Sequence, residues 1–172
     1  FAPPMPTAPI PEDLDDEISI CAQYGEKLSE NAIKYIDRRK VFEIRPVDPA
    51  QFLFAHGDTM APMLVWYRLR SDRVSCPEMY PALMVYLSDM PVLIASLRPH
   101  GLNFFDTGLT MASLDHSMWQ HAKPDWSNWL LATHESLATE AGMGLGHVRF
   151  YNRSGQLCAT VSQQGFIRQA NE

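Results

Sequence analysis

The stretch Met79–Leu97 (MYPALMVYLSDMPVLIASL) constrains this chain more than any other. Its 19 residues carry one formal charge, Asp89. Apolar residues fall on every side of its first half, a pattern that predicts a buried helix. Prolines set its limits: Pro77 and Pro81 suit a helix start, and Pro91 stops the helix near Asp89 or Met90. The expected helix has about ten residues, long enough to be enclosed by a sheet. A membrane span needs roughly 20 uninterrupted apolar residues, and Pro81, Asp89 and Pro91 argue against one. Asp89 then sits at the end of an apolar helix, where a carboxylate needs a partner or a role.

What flanks this helix predicts an antiparallel sheet. Val41–Arg45 and Met63–Arg70 read as strands upstream, with Pro46 ending the first and Asp48–Met60 irregular. Ser71–Cys76 is a polar turn. Downstream, Arg98–Asp106 reads as a loop, followed by strand-like runs at Leu109–His121, Trp129–Thr139, Leu145–Asn152 and Leu157–Arg168. Arg153-Ser154-Gly155 is a tight hairpin turn, and Gly142, Gly144 and Gly146 mark another. Hairpins after one buried helix predict an α+β fold, a curved sheet wrapped round that helix.

The N-terminal region is of another kind. Residues 1–13 hold five prolines and read as an extended linker. Leu14–Ile36 reads as a helix capped by Asp13, with an imperfect apolar stripe weakened by Gly25. The division expected is a linker over 1–13, one domain over 14–168 and a short tail over 169–172. The opening on Phe1 suggests a piece of a longer protein.

Composition removes several function classes. At 172 residues and net charge −6, with Arg38-Arg39-Lys40 the one short basic cluster, nucleic acid is not an expected partner. Cys21, Cys76 and Cys158 show no CxxC and no zinc spacing with histidine. An odd, sparse cysteine count fits a reducing compartment. With no signal peptide read, the expected location is cytoplasmic. His100, His121, His134 and His147 show no metal spacing and read as structural or exposed. Trp66, Trp119, Trp126 and Trp129 read as core or interface residues; with Phe104 and Phe105, some could line an apolar tunnel.

Several short motifs then occur in a recognisable order. LDHSMW at 114–119, WLL at 129–131 and ES at 135–136 resemble the acyl-CoA thioesterase II (TesB-like) family. RPVD at 45–48, YLSD at 86–89, RPHG at 98–101 and the closing SGQLCATVSQQGFIR resemble it too. The resemblance implies a hotdog fold, and this chain resembles the C-terminal half of a double hotdog. It implies acyl-CoA as substrate, hydrolysis to free fatty acid and CoA, and no cofactor. It also implies a second hotdog as partner, on a missing half or on another copy in a homo-oligomer. Family members also occur in peroxisomes, but Ala170-Asn171-Glu172 is no peroxisomal signal.

By the same resemblance the catalytic trio is Asp89, ending YLSD; Ser113, two residues before the Asp of LDHSMW; and Gln163, before Gln164-Gly165. Strand alternation also favours Gln163 over Gln164, since neighbours face opposite sides. Gln164 stands where family members often have Glu. No Gly-x-Ser-x-Gly elbow is present, and Ser136 would be a nucleophile only in a different mechanism. Asp115 and His116, on one strand, would face opposite sides and serve as hydrogen-bonding anchors. The alternatives are a non-catalytic hotdog acting as an acyl-binding or assembly module, and a hydratase needing a His paired with the Asp. A catalytic domain must bring Asp89, Ser113 and Gln163 within hydrogen-bond reach of one site.

Overall fold

A computed structural model of the chain describes residues 1–23, 41–54, 60–70, 76–90, 92–102 and 108–169. Its centre is a seven-stranded, wholly antiparallel sheet. The strands are β1 (Phe42–Pro46), β2 (Met63–Leu69), β3 (Leu109–Ser113), β4 (Ser117–Gln120), β5 (Leu130–Glu140), β6 (Met143–Asn152) and β7 (Leu157–Gln169). Their order is β1-β2-β5-β6-β7-β3, with β4 also on β7. Long alternating runs joined by tight turns make the β5-β6-β7 pairing local, whereas β2 reaches β5 and β3 reaches β7 across long intervening segments. Asn152 receives the Gly155 N–H at 2.8 Å, and Gly155 takes φ +88°, a left-handed value that suits glycine.

The helix α1 (Glu17–Gln23) is shorter at its start than the expected Leu14 onset. A 3-10 turn fills Pro11–Asp13, and the cap is Asp16, whose carboxylate accepts the Ser19 N–H at 2.8 Å. The rest of the expected helix, and the Arg38–Lys40 cluster, lie outside the described residues. A second helix, α2 (Pro49–Phe54), replaces the irregular segment expected there. Its signal was readable: Asp48 accepts the N–H groups of Ala50 and Gln51, and proline follows at the first helical position.

The central helix α3 (Tyr80–Asp89) has the length its prolines dictate. It buries Leu83, Met84, Leu87 and Ser88. It is not enclosed on all sides, however, because Val85 is 52% and Tyr86 44% exposed. The deepest insertion is a 3-10 segment, Val92–His100, in place of the loop expected from Arg98. This segment packs across β5, β6 and β7. Its Val92, Ala95, Ser96 and Leu97 are essentially inaccessible. Tyr80–His100 is long and apolar enough to cross a membrane by length and composition, but about half (53%) of its most apolar 18-residue window is buried inside the protein. Buried core helices share this length and composition.

Glycines permit this close approach. Gly144 and Gly146 are not part of a turn; the hairpin turns at Ala141-Gly142, both with positive φ. Gly144 and Gly146 lie within β6 and face the 3-10 segment. A Cβ on Gly144 would come within 2.7 Å of Ser96 Cβ, and one on Gly146 within 2.2 Å of the Val92 carbonyl oxygen.

The outer face of the sheet carries the proline-rich segment. Met5, Ala8 and Leu14 pack on Trp66, Trp129 and Leu131. Trp66 Nε1 donates to the Pro9 carbonyl at 3.0 Å, and Arg45 Nη1 donates to those of Pro11 and Leu14, each at 2.8 Å. Arg45 and Arg68 lie over the Trp129 ring, at 5.2 and 4.5 Å from its centroid. Both donate to Glu43. Burial raises the Glu43 carboxyl, but the hydrogen bonds from Arg68 and Arg45 outweigh it and hold the group below its ordinary value. Two tryptophans thus serve the outer core, and Trp126 packs with Phe42 and Tyr80 on the other side.

His134 is fully buried on β5, its Nε2 3.4 Å from the Tyr67 hydroxyl. Desolvation and the nearby Arg98 charge push its pKa down to about 3. The unfolded chain would bind this proton near pH 6.5 and the folded chain would not. Stability from this group is therefore full above pH 6.5 and is lost as pH falls toward 3. The expected loss approaches about 1.4 kcal/mol per pH unit below 6.5. Urea unfolding of the parent and His134→Gln at pH 7 and pH 5 checks this. The parent should lose more stability than the variant on acidification, and equal losses would exclude a buried neutral His134 as the cause.

Candidate active site

Three elements far apart in sequence bring Asp89, Ser113 and Gln163 to one place. Asp89 is the last residue of α3, Ser113 ends β3, and Gln163 lies mid-way along β7. The register decides which glutamine faces inward. Gln163 stands opposite Gly146, on the face that meets the 3-10 segment, and Gln164 stands opposite Leu145 on the other face. Ser113 pairs with Gly165, two residues along β7 on the inner side.

The Gln163 side chain is 1% exposed and joins the other two. Its Nε2 donates to Asp89 Oδ1 at 2.9 Å and also, in a short hydrogen bond, to Ser113 Oγ. The reverse amide orientation would set Oε1 against a carboxylate, so the chemistry fixes the assignment. Gln163 Oε1 is buried without a partner among the described residues. Such broken local rules concentrate where a chain is built for function rather than stability. Asp89 and Ser113 remain exposed. The helix end is an unfavourable place for a carboxylate, because the macrodipole is negative there. The Gln163 amide offsets this with one N–H.

These three residues line a cleft of about 120 Å³ together with Met90, Leu93, Ile94, Met111 and Ala112. Of these apolar walls, Leu93 and Ile94 are signalled in the sequence by the run VLIASL after Pro91. None of the four tryptophans lines the cleft. Phe104 and Phe105 lie outside the described residues. The expected single strand over Leu109–His121 is broken between β3 and β4 at Leu114–His116, so alternation does not govern Asp115 and His116. Asp115 Oδ1 accepts the Gln164 N–H at 2.8 Å, and His116 Nε2 lies 3.1 Å from Ser88 Oγ.

Other candidate nucleophiles and ligands are engaged elsewhere. Burial pushes the Cys158 thiol up to about 11. His121 meets Thr160 at 2.9 Å and His147 meets Ser162 at 3.0 Å. Among the described residues no three His, Cys, Asp or Glu side chains cluster as metal ligands.

The sequence as a whole matches a known family. The family model "Acyl-CoA thioesterase" matches residues 37–166. The chain belongs to the acyl-CoA thioesterase family. It is 29% identical over 167 residues to acyl-CoA thioesterase 2 of Haemophilus influenzae, covering 95% of this chain and 57% of that protein. It is 33% identical over 172 residues to human acyl-coenzyme A thioesterase 8, covering 95% and 53%. This acyl-CoA thioesterase family member thus spans about half the length of the curated relatives it matches. Its fold resembles acyl-CoA thioesterase II TesB2 from Mycobacterium marinum, with TM-score 0.73 at 24% identity, over 99% of this chain and 58% of that one. It also resembles a hot dog fold protein from Alicyclobacillus acidocaldarius, with TM-score 0.64 at 14% identity, over 99% and 57%. The fold is a hotdog.

Proposed function

We propose that this chain hydrolyses fatty acyl-CoA to free fatty acid and CoA, with Asp89, Ser113 and Gln163 as its catalytic residues. The observation that carries this reading is the Gln163 amide, which donates to both Asp89 and Ser113 on the wall of an apolar cleft. Asp89 takes a proton from water as the water oxygen bonds to the thioester carbonyl carbon. The carbonyl electrons move to oxygen, the tetrahedral intermediate collapses, and the C–S bond breaks. The CoA thiolate leaves and receives the proton from Asp89. Ser113 Oγ already accepts from Gln163, so its own proton is free to stabilise the developing oxyanion. No covalent enzyme intermediate is needed.

The chain works paired with a second hotdog, on a further segment or on another copy. Two observations support this. A cleft of about 120 Å³ is below the roughly 300–1,000 Å³ of pockets that enclose a sizeable ligand. The central helix also leaves Val85 and Tyr86 exposed, apolar surface of the kind that marks association. Where the partner is another copy, light scattering should give a mass of at least twice the 19.5 kDa chain; a stable monomer would remove pairing between copies.

Release of free thiol from medium- and long-chain acyl-CoA tests the activity. Steady release that saturates with substrate is the expected result. Saturable binding of acyl-CoA without release would instead make the domain an acyl-binding module.

A further inference from the structure

The break between β3 and β4 touches all three corners of the candidate site without entering it. Leu114 follows Ser113 directly. The Gln164 carbonyl, next to Gln163, accepts the Leu114 N–H at 2.8 Å and the Asp115 N–H at 3.4 Å. Asp115 Oδ1 returns the contact by accepting the Gln164 N–H at 2.8 Å. His116 reaches the third corner through Ser88, the residue before Asp89. Neither Asp115 nor His116 lines the cleft.

The Ser88 contact has a direction. Ser88 Oγ donates its one proton to the Val85 carbonyl at 2.7 Å. It must therefore accept from His116, which carries a proton on Nε2. Ser88 is wholly buried, so the lost donor could not be replaced cheaply by water. The link fixes the last turn of α3, where the carbonyls lack partners within the helix, and with it the seat of Asp89.

We propose that Leu114–His116 is a positioning clamp for the hydrolytic site, with Asp115 and His116 its positioning residues. Asp115 sets β7, and so Gln163, against Ser113. His116 sets α3, and so Asp89, against the same point. Reacting groups held this way lose rate steeply when displaced: a shift of about 1 Å can cost about a hundredfold. This inference rests on the activity proposed above and names what aligns that site.

The test compares His116→Ala, His116→Gln and Ser88→Ala. Gln carries an N–H donor at the reach of His Nε2, so it should restore what Ala removes. His116→Ala should lower kcat by about tenfold or more with KM within about twofold. His116→Gln should keep most of the parent kcat. Ser88→Ala should lower kcat in the same direction, and the His116→Ala, Ser88→Ala double variant should be no slower than the slower single one. Parent kcat in His116→Ala, equal loss in the Ala and Gln variants, or multiplicative losses in the double variant would each overturn the clamp. A second readout does not depend on activity. The Gln163 side-chain NH₂ signal, assigned by its absence in Gln163→Glu, should shift in His116→Ala and return in His116→Gln. If the parent releases no thiol, the hydrolytic reading fails, while this signal still decides the clamp: an unmoved signal overturns it.

Discussion

Asp89→Asn is expected to slow thiol release from acyl-CoA by about a hundredfold or more, the scale of a lost general base. The substitution keeps the volume and planar shape of the side chain. The Asn carbonyl oxygen can still accept from Gln163 Nε2, so the alignment at 2.9 Å has no reason to collapse. What disappears is the basic oxygen that receives the water proton. Asp89 is exposed at a helix end, so the stability change should stay within about 0.5 kcal/mol. Steady-state kinetics with a urea melt alongside separates the two effects. A variant with parent kcat would remove Asp89 from the chemistry, and a variant that unfolds early would mean the residue holds the fold instead.

Among Gly144, Gly146, Gly155 and Gly165, Gly146 should tolerate an added methyl group least. The new Cβ would lie 2.2 Å from the Val92 carbonyl oxygen and 2.9 Å from its carbon. These are backbone atoms of a buried segment, so no rotamer change relieves the clash. Either β6 or the Val92–His100 segment must move. Overpacking of this kind costs about 3 kcal/mol or more. Gly165→Ala should cost less, because its nearest obstacle is the end of the Leu93 side chain at 2.4 Å. The Ala112 carbonyl at 2.7 Å still limits that relief. Gly155 has open space around it, and its cost is backbone strain alone, about 1–2 kcal/mol. Urea midpoints should therefore fall furthest for Gly146→Ala. A midpoint equal to the parent's would show that the segment is not seated on β6 as described. Leu93 and Ile94, in the same segment, line the cleft, so surviving Gly146→Ala protein should also hydrolyse slowly.

Both results depend on features that the sequence exposes unequally. Asp89 is visible at once as the single charge in an apolar run, held at a helix end by the next proline. Gln163 is preferred over Gln164 by its place before Gln164-Gly165 in the family resemblance, together with strand alternation, and the register puts the two on opposite faces. Gly146 is different. In sequence it stands among Gly142, Gly144 and Gly146 and reads as a turn. Only Gly142, with Ala141, turns the chain; the other two exist to let a distant segment approach. Similarly, Leu109–His121 reads as one strand, because hydrophobic alternation does not register a break held by hydrogen bonds to β7 and α3. The Val92–His100 segment reads as ending in a loop, since Pro99 hides a 3-10 run stabilised by burial rather than by propensity.

The boundary between the two kinds of knowledge follows the range of the forces. The sequence by itself determined the limits of α3, the Ser154-Gly155 hairpin, the alternation of faces along β7 and the family resemblance. Each of these depends on sterics and hydrogen bonds within a few residues, or on side-chain alternation along one strand. Only the tertiary structure decided that Asp89 and Gln163, 74 positions apart, would share a hydrogen bond. It alone decided that residues 114–116 would brace them, and that the proline-rich segment would lie on the outer face under Arg45 and Trp66. Those outcomes depend on how the sheet packs around its central segment, and no local run of residues encodes that distance.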